Sequence, residues 1–356
     1  YEPDSRKSCH CMIQARILKH QIYIYCPANF VTGGTELLHQ LVDVLRNNGA
    51  EAYIYYIGEP DAAIPDAFKR YNIQQSLEIV DREDNIVVLP ETLFKHHIDI
   101  KYARIYLWWL SVDNFYNGCM FNLPLKELFD FSKRMFVDRF ILNFKGYASP
   151  EDKRGRISLN SLSSERYVSL YQSEYAHHFL YTKGFKYVLP LKDYINTEFY
   201  EIPKVSGREN IVLYNPAKGM EYTRQLIRLS PDLEWRPIQG LKRKQLVELL
   251  RKSKLYIDFG NHPGKDRLPR EAALNGCCLI TGIRGAAYFY EDIPIPDIYK
   301  LDEKKVSKED VISLIRNVLA DYEKCFSDFN YYRSRILMEK AEFEEDVKKL
   351  FLRESV

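Results

Sequence analysis

The sequence predicts an α/β protein of two Rossmann-like domains that face each other across a cleft, with a C-terminal helix crossing back onto the first domain. Three observations carry this. Short β-rich apolar runs alternate with segments of helical period along most of the chain, the pattern of parallel strands joined by helical crossovers. The alternation breaks at residues 196–210, NTEFYEIPKVSGREN, a stretch poor in apolar residues with a Pro and a Gly, and then restarts. A chain of 356 residues is also too long for one ordinary core and suits two domains of roughly 150 to 200 residues each.

The elements follow in order. Residues 21–27, QIYIYCP, read as a strand that ends in the loop ANFVTGG before a helical pattern begins. In that helix Leu37, Leu38, Leu41, Val42, Val44 and Leu45 share one broad face, and Asn47-Asn48-Gly49 supplies the stop. Further strands are expected at 52–58, 85–90, 104–110, 167–173 and 186–191. Beyond the linker come strand NIVLYN, helix MEYTRQLIRL, strand LEWRPI, helix KRKQLVELLRKS, strand LYIDFG, helix PREAALNG and strand CCLITG. Helices near 307–320 and 330–351 close the chain. The division is a leader (1–20), disordered or belonging to the interior of a longer product, an N-terminal acceptor domain (21–200), a donor domain (201–326) and a C-terminal helix (327–356).

Composition removes several classes. With 51 Lys+Arg against 49 Asp+Glu there is no global basic field, so nucleic acid is not implied. No run of about 18 apolar residues can span a bilayer. The expectation is a soluble, cytoplasmic protein with at most peripheral contact with the inner face of a membrane. Seven cysteines are an odd number, and Cys26, Cys277 and Cys278 lie in apolar runs where a thiol behaves as a small hydrophobe, as suits a reducing compartment. Cys9, His10 and Cys11 sit too close together for a tetrahedral zinc set, and no metal is expected. The helix at 241–254 carries six basic residues. It reads as a crossover helix with its apolar face on the sheet, or as a surface lying on an anionic membrane.

The most specific run is LYIDFGNHPGKDRLPREAALNGCCLITG, residues 255–282. It resembles the donor-site half of GT-B glycosyltransferases with the Glu-x7-Glu pattern, the group 1 or glycogen-synthase-like nucleotide-sugar transferases. The resemblance covers roughly residues 21–302 and rests on Glu271-Ala272 and Gly276, with Glu271 matching the second glutamate, which accepts hydrogen bonds from the donor's ribose. Where the first glutamate would stand, eight residues earlier, this chain has Pro263. Residues 264–268 would open the helix, where unpaired N–H groups and the helix dipole favour an anion. Gly264, Lys265, Arg267 and His262 are therefore donor-site candidates, Arg267 by a bidentate fork and Lys265 as a point charge on phosphate. Lys218-Gly219 looks like the family's Lys-Gly pair after the first strand of the second domain. Lys218 would neutralise the leaving diphosphate and Gly219 would permit close backbone approach.

On the first domain, Gly33, Gly34, Thr35 and Glu36 resemble the glycine loop that faces the cleft, with Thr35 or Glu36 at the helix start. A plain tight turn explains the same letters. WWLSVDN puts polar groups at the carboxyl edge of the sheet, where ligands bind, and makes Asp113 the candidate base on the acceptor hydroxyl if the enzyme inverts, with a turn-forming Asp-Asn as the plain alternative. Ser173 and Glu174 repeat that arrangement, whereas the adjacent His177 and His178 read as surface or packing residues. The resemblance implies an enzyme without cofactor, the nucleotide-sugar being substrate, that transfers sugar to a glycan or lipid-linked glycan, as in surface polysaccharide biosynthesis. An oxidoreductase would need GxGxxG after a first strand, absent here. A nucleotide-sugar epimerase of the same fold and an inactive transferase-like binding subunit are the rival readings.

Overall fold

The computed structural model describes residues 20–145, 155–200 and 205–352; Cys9, His10 and Cys11 lie outside them. Two all-parallel sheets organise the chain. The first has β1 (Gln21–Pro27), β2 (Glu51–Ile57), β3 (Ile86–Pro90), β4 (Arg104–Trp109), β5 (Tyr167–Tyr171) and β6 (Val188–Pro190) in the spatial order β2-β1-β3-β4-β5-β6. The second has β7 (Glu209–Tyr214), β8 (Glu234–Pro237), β9 (Ser253–Asp258), β10 (Cys278–Gly282) and β11 (Lys300–Leu301) in the order β11-β10-β9-β7-β8.

Residue pattern explains each strand's place. In β3 every residue is buried, as a strand covered on both faces requires, whereas edge strand β2 alternates half-buried and buried positions. Along β4, Ile105, Leu107 and Trp109 enter one apolar cluster and Tyr106 and Trp108 another, one on each face of the first sheet. Helix α1 (Gly33–Asn47) buries the six apolar residues expected of it. Ser111 caps α2 (Val112–Gly118) by accepting from the Asn114 N–H, so the residues read as a polar strand end begin a helix. Helices α3 (Leu125–Phe131) and α4 (Lys133–Phe144) follow, and α5 (Glu174–Thr182) links β5 to β6.

In the second half, α6 (Met220–Leu229), α7 (Arg243–Lys252) and α8 (Arg267–Leu274) connect the strands, and α9 (Lys308–Ala320) and the short, unforeseen α10 (Tyr322–Ser327) lead to α11 (Asn330–Val347). Val247 and Leu250 of α7 pack in the core of this half, the crossover role read from the sequence. Helix α11 crosses back: Ile336 belongs to the second core, while Phe343, Val347 and, on the π turn Lys348–Leu352, Phe351 belong to the first. Phe343 lies stacked near Trp108, ring centroids 6.3 Å apart. Among the described residues no helix is long and apolar enough to cross a membrane.

One buried charge network joins both halves. Arg270 on α8 is fully buried; its Nη1 and Nη2 reach the Asp193 carboxylate at 2.9 and 2.6 Å, and Nη1 reaches Glu339 Oε2 of α11 at 2.8 Å. Burial would raise the Asp193 carboxyl, but the Arg270 charge and hydrogen bonds hold it below its ordinary range. Removing one member leaves part of the buried charge uncompensated. Asp193→Ala is expected to lower stability to urea unfolding by about 3–5 kcal/mol; a loss under about 1 kcal/mol, the scale of a solvated pair, would show that the network does not hold the halves together.

Candidate active site

The loop between β9 and α8 touches the first domain at Asn261, Pro263, Gly264 and Lys265. The Asn261 amide donates to Asp113 Oδ2, the Val112 N–H donates to the Pro263 carbonyl at 3.0 Å, and the Lys265 N–H donates to Gln172 Oε1 at 3.2 Å. Gly264 sits at the closest approach: a Cβ there would stand 1.9 Å from the Leu110 carbonyl oxygen. Only glycine fits such contact. Pro263, at the position of the missing glutamate, thus contributes its carbonyl to the domain contact.

Glu36, in the first turn of α1, is the centre of the cleft's electrostatics. Its buried carboxylate accepts from Arg267 at 2.5 Å, Arg70 at 2.5 Å, Asn196 at 2.6 Å, Tyr71 at 2.9 Å and Arg243 at 3.3 Å. Arg267 and Arg243 come from the second domain, at the first residues of α8 and α7. Burial alone would raise the Glu36 carboxyl; the arginine charges and the Tyr71 hydrogen bond more than offset it and hold it below its ordinary range. Arg267, expected on phosphate, is therefore held by an internal carboxylate. Lys265 turns the other way, its Nζ 2.7 Å from Glu339 on α11.

Lys218 and His262 converge on the start of α8. The Lys218 ammonium donates to Asp266, the residue before α8, and lies 3.4 Å from Asp258 at the end of β9. His262 is fully buried, with Nδ1 2.8 Å from Asp266 and Nε2 3.7 Å from Asp258. Burial opposes ionisation of Asp266, yet the His262 imidazole and the Lys218 charge hold its carboxyl below the usual range. The ligand atoms of Asp258, His262 and Asp266 lie within 4.8 Å of one another, a set able to hold a divalent cation; in this arrangement Lys218 supplies positive charge. Gly219 adopts φ 66° as the cap of α6, and a Cβ there would stand 2.5 Å from the Gly260 nitrogen. Its close approach is to the β9 loop.

Glu271 follows one turn into α8. Its carboxylate makes no hydrogen bond or ion pair with any described residue, and burial raises its pKa against the pull of Arg267, Arg270 and Arg243. The remaining first-domain candidates divide by role. Thr32 caps α1, and Thr35 closes the capping box at the third helical position, so its hydroxyl is spent on backbone. Ser173 caps α5 by accepting from the Ala176 N–H at 3.2 Å. Asp113 accepts from the Tyr175 hydroxyl at 3.1 Å and from Asn261, bridging the domains.

Between the domains lies a cavity of about 300 Å³, with Gly33, Gly34, Glu91 and Asn114 on the first-domain wall and Gly264, Lys265, Asp266 and Arg267 on the second. Glu91 was not expected. It follows β3 directly, is buried, and accepts from the Leu110 N–H at 3.2 Å and from its own backbone N–H. Burial pushes its carboxyl up to about 8. The signal was present: IVVLP-Glu, like WWLSV-Asp113, sets an acid beyond an apolar strand. Arg70 and Arg243 carried no motif and were also missed.

No family model and no curated protein matches the sequence. Solved structures do. Sucrose-phosphate synthase from Thermosynechococcus elongatus aligns at 12% identity over 93% of this chain and 98% of its own, with a TM-score of 0.60. Anabaena HepE in complex with UDP and glucose aligns at 12% identity over 93% of this chain and 100% of its own, TM-score 0.55. The fold is GT-B. A variant of S. aureus TarM in complex with fondaparinux, α-GlcNAc-glycerol and UDP aligns at 11% identity, TM-score 0.50, over 77% of this chain and 57% of its own, so this chain spans little more than half of that protein's length. The two Rossmann-like domains and the returning helix match the expected architecture.

Glu36 generates a testable pH dependence. A carboxyl held below its ordinary range adds stability that is present above its unfolded pKa and lost as pH falls through the folded one. Glu36→Gln is expected to cost about 3 kcal/mol at pH 7, with the gap to wild type closing below about pH 4.3. Denaturant unfolding at several pH values reads this; a gap independent of pH down to 3 would mean that the arginines do not set its charge.

Proposed function

We propose that this chain is a glycosyltransferase that moves a sugar from a nucleotide-sugar donor to a glycan or glycoconjugate acceptor, in surface polysaccharide biosynthesis. The observation that carries the reading is Glu271: a buried carboxylate with no hydrogen-bond or ion-pair partner among the described residues, one turn into the helix whose start gathers Lys218 and Arg267, outside the carboxyl edge of the second sheet. Ribose hydroxyls are the donors it lacks. Lys218 and the N–H groups opening α8 hold the diphosphate, and Arg267 exchanges Glu36 for phosphate oxygens. As the sugar–phosphate bond breaks, these fixed charges meet the negative charge that develops on the leaving group. UDP bound in HepE and TarM supports the same class of donor.

A panel of UDP, GDP, dTDP and CMP tests the reading by thermal stabilisation, since ligand at 100 times its Kd adds about 2.7 kcal/mol. One nucleoside diphosphate is expected to stabilise the chain, with Lys218→Ala or Arg267→Ala each weakening it by about 1.5–3 kcal/mol. Response to none of the four would sink the proposal, and a donor converted without any acceptor into an isomeric sugar would favour the epimerase reading.

We also propose a cytoplasmic site of action at a membrane surface, with a lipid-linked acceptor. The support lies on α4, where Val137, Phe140, Ile141 and Phe144 form an exposed stripe flanked by Lys133 and Arg134. Co-sedimentation with phosphatidylglycerol vesicles is expected, and Phe140→Ser with Phe144→Ser together should cut the partition about tenfold or more. Equal partition of the double variant, or none by wild type, would remove the membrane part of the proposal.

A further inference from the structure

We infer that Glu91 takes the proton from the acceptor hydroxyl in the cleft, an assignment that rests on the transferase reading above. Strand β3 delivers Glu91 to the carboxyl edge of the first sheet, at the first residue of the 3-10 segment Glu91–Asp99. The side chain lines the interdomain cavity together with Gly264 and Arg267 of the second domain. An acceptor bound between the walls would have this carboxyl on one side and the donor's anomeric carbon on the other.

Its surroundings suit the task. Among the described residues the carboxylate has no cation partner, and it is held by two backbone N–H groups, its own and that of Leu110, so the buried charge has no counter-ion. Such a group is costly to retain and, in a ligand cavity, is a functional candidate on physical grounds. The charged groups across the cavity are engaged elsewhere: Arg267 with Glu36, Lys265 with Glu339, Asp193 with Arg270, and Asp266 with Lys218. Just past α2, the Cys119 thiol points to the Glu91 carbonyl oxygen at 3.8 Å and is pushed up to about 12 by burial, so it stays neutral. Asp113 on the same helix is held by Tyr175 and Asn261.

The step balances without a co-reactant. The Glu91 carboxylate accepts the proton as the acceptor oxygen bonds to the anomeric carbon. The bond from that carbon to the donor phosphate breaks, and its electron pair leaves with the nucleoside diphosphate toward Lys218 and Arg267. Glu91 ends as the neutral acid, the form that its buried site favours. Attack from the wall opposite the leaving group inverts the anomeric configuration.

Glu91→Gln tests this, because the amide oxygen can still accept from the Leu110 N–H while basicity is lost. On whichever nucleotide-sugar of a UDP, GDP and dTDP series wild type turns over, kcat is expected to fall about 10²-fold or more with donor affinity by calorimetry unchanged. Wild-type activity should rise with pH toward about 8, a limb the variant lacks. A second readout needs no substrate: a carboxyl raised in the fold loses stability as pH climbs from its unfolded pKa toward the folded one, so the Gln variant should melt above wild type at pH 9. Near-normal kcat, an unchanged pH profile, a product of retained configuration, or a variant that melts below wild type at pH 9 would each overturn the assignment. Nucleotide binding without turnover of any donor by wild type would overturn it while leaving the donor site standing, whereas absence of nucleotide binding would remove the transferase reading with it.

Discussion

Arg270 can remain charged in the interior of this protein because two carboxylates from opposite halves of the chain, Asp193 and Glu339, meet it there. Apolar surface slides; a guanidinium held at fixed angles by five oxygens does not. Two of those oxygens are the Asp193 carboxylate, one is Glu339, and two are the backbone carbonyls of Lys265 at 2.8 Å and Asp266 at 3.1 Å. The network therefore sets how α8 sits against α11 and the segment after β6. Since the loop 259–266 enters that helix, it also sets where Asp258, His262 and Asp266 stand.

From that anchor the cleft is built by backbone contact and by charge. Gly264 against the Leu110 carbonyl and the Val112 N–H on Pro263 bring the two domains into direct contact. Glu36 then gathers arginines from both domains, acting as an internal anion in the place where the proposed substrate would bring phosphate. Cations so held are already oriented, and exchanging one anion for another avoids the cost of ordering long side chains. On the transferase reading, donor binding competes with Glu36 for Arg267 and so couples phosphate recognition to the contact between domains.

The fold was largely legible because its elements carry strong periods. β3 and β4 read as unbroken apolar runs because helices cover both faces, and the alternate residues of β4 feed separate clusters. α2 escaped because Ser111 serves equally as a strand end and as a helix cap, and the choice depends on the neighbouring Pro263 carbonyl and core packing of Val112 and Phe115. In the candidate site, Lys218, His262 and Arg267 were found by their place around a strand-loop-helix turn, and all three come to the start of α8. Thr35 and Ser173 were found by the same logic and are helix caps, since a hydroxyl at a helix start serves backbone or ligand with identical letters.

The sequence by itself determined two parallel α/β halves, the returning helix and the loop around which the donor-site candidates cluster, because hydrophobic period and glycine placement are local properties. Tertiary structure alone decided which charges meet. Arg267 lies 231 positions from Glu36, and Lys265 points to Glu339 though Arg267, two residues away, points to the cleft. Glu91 and Asp113 both follow apolar strands, yet one is buried in the cavity wall with no counter-ion among the described residues and the other is tied by Tyr175 and Asn261. Burial and pairing belong to the packed pair of domains, and the ionisation of a carboxyl follows from them.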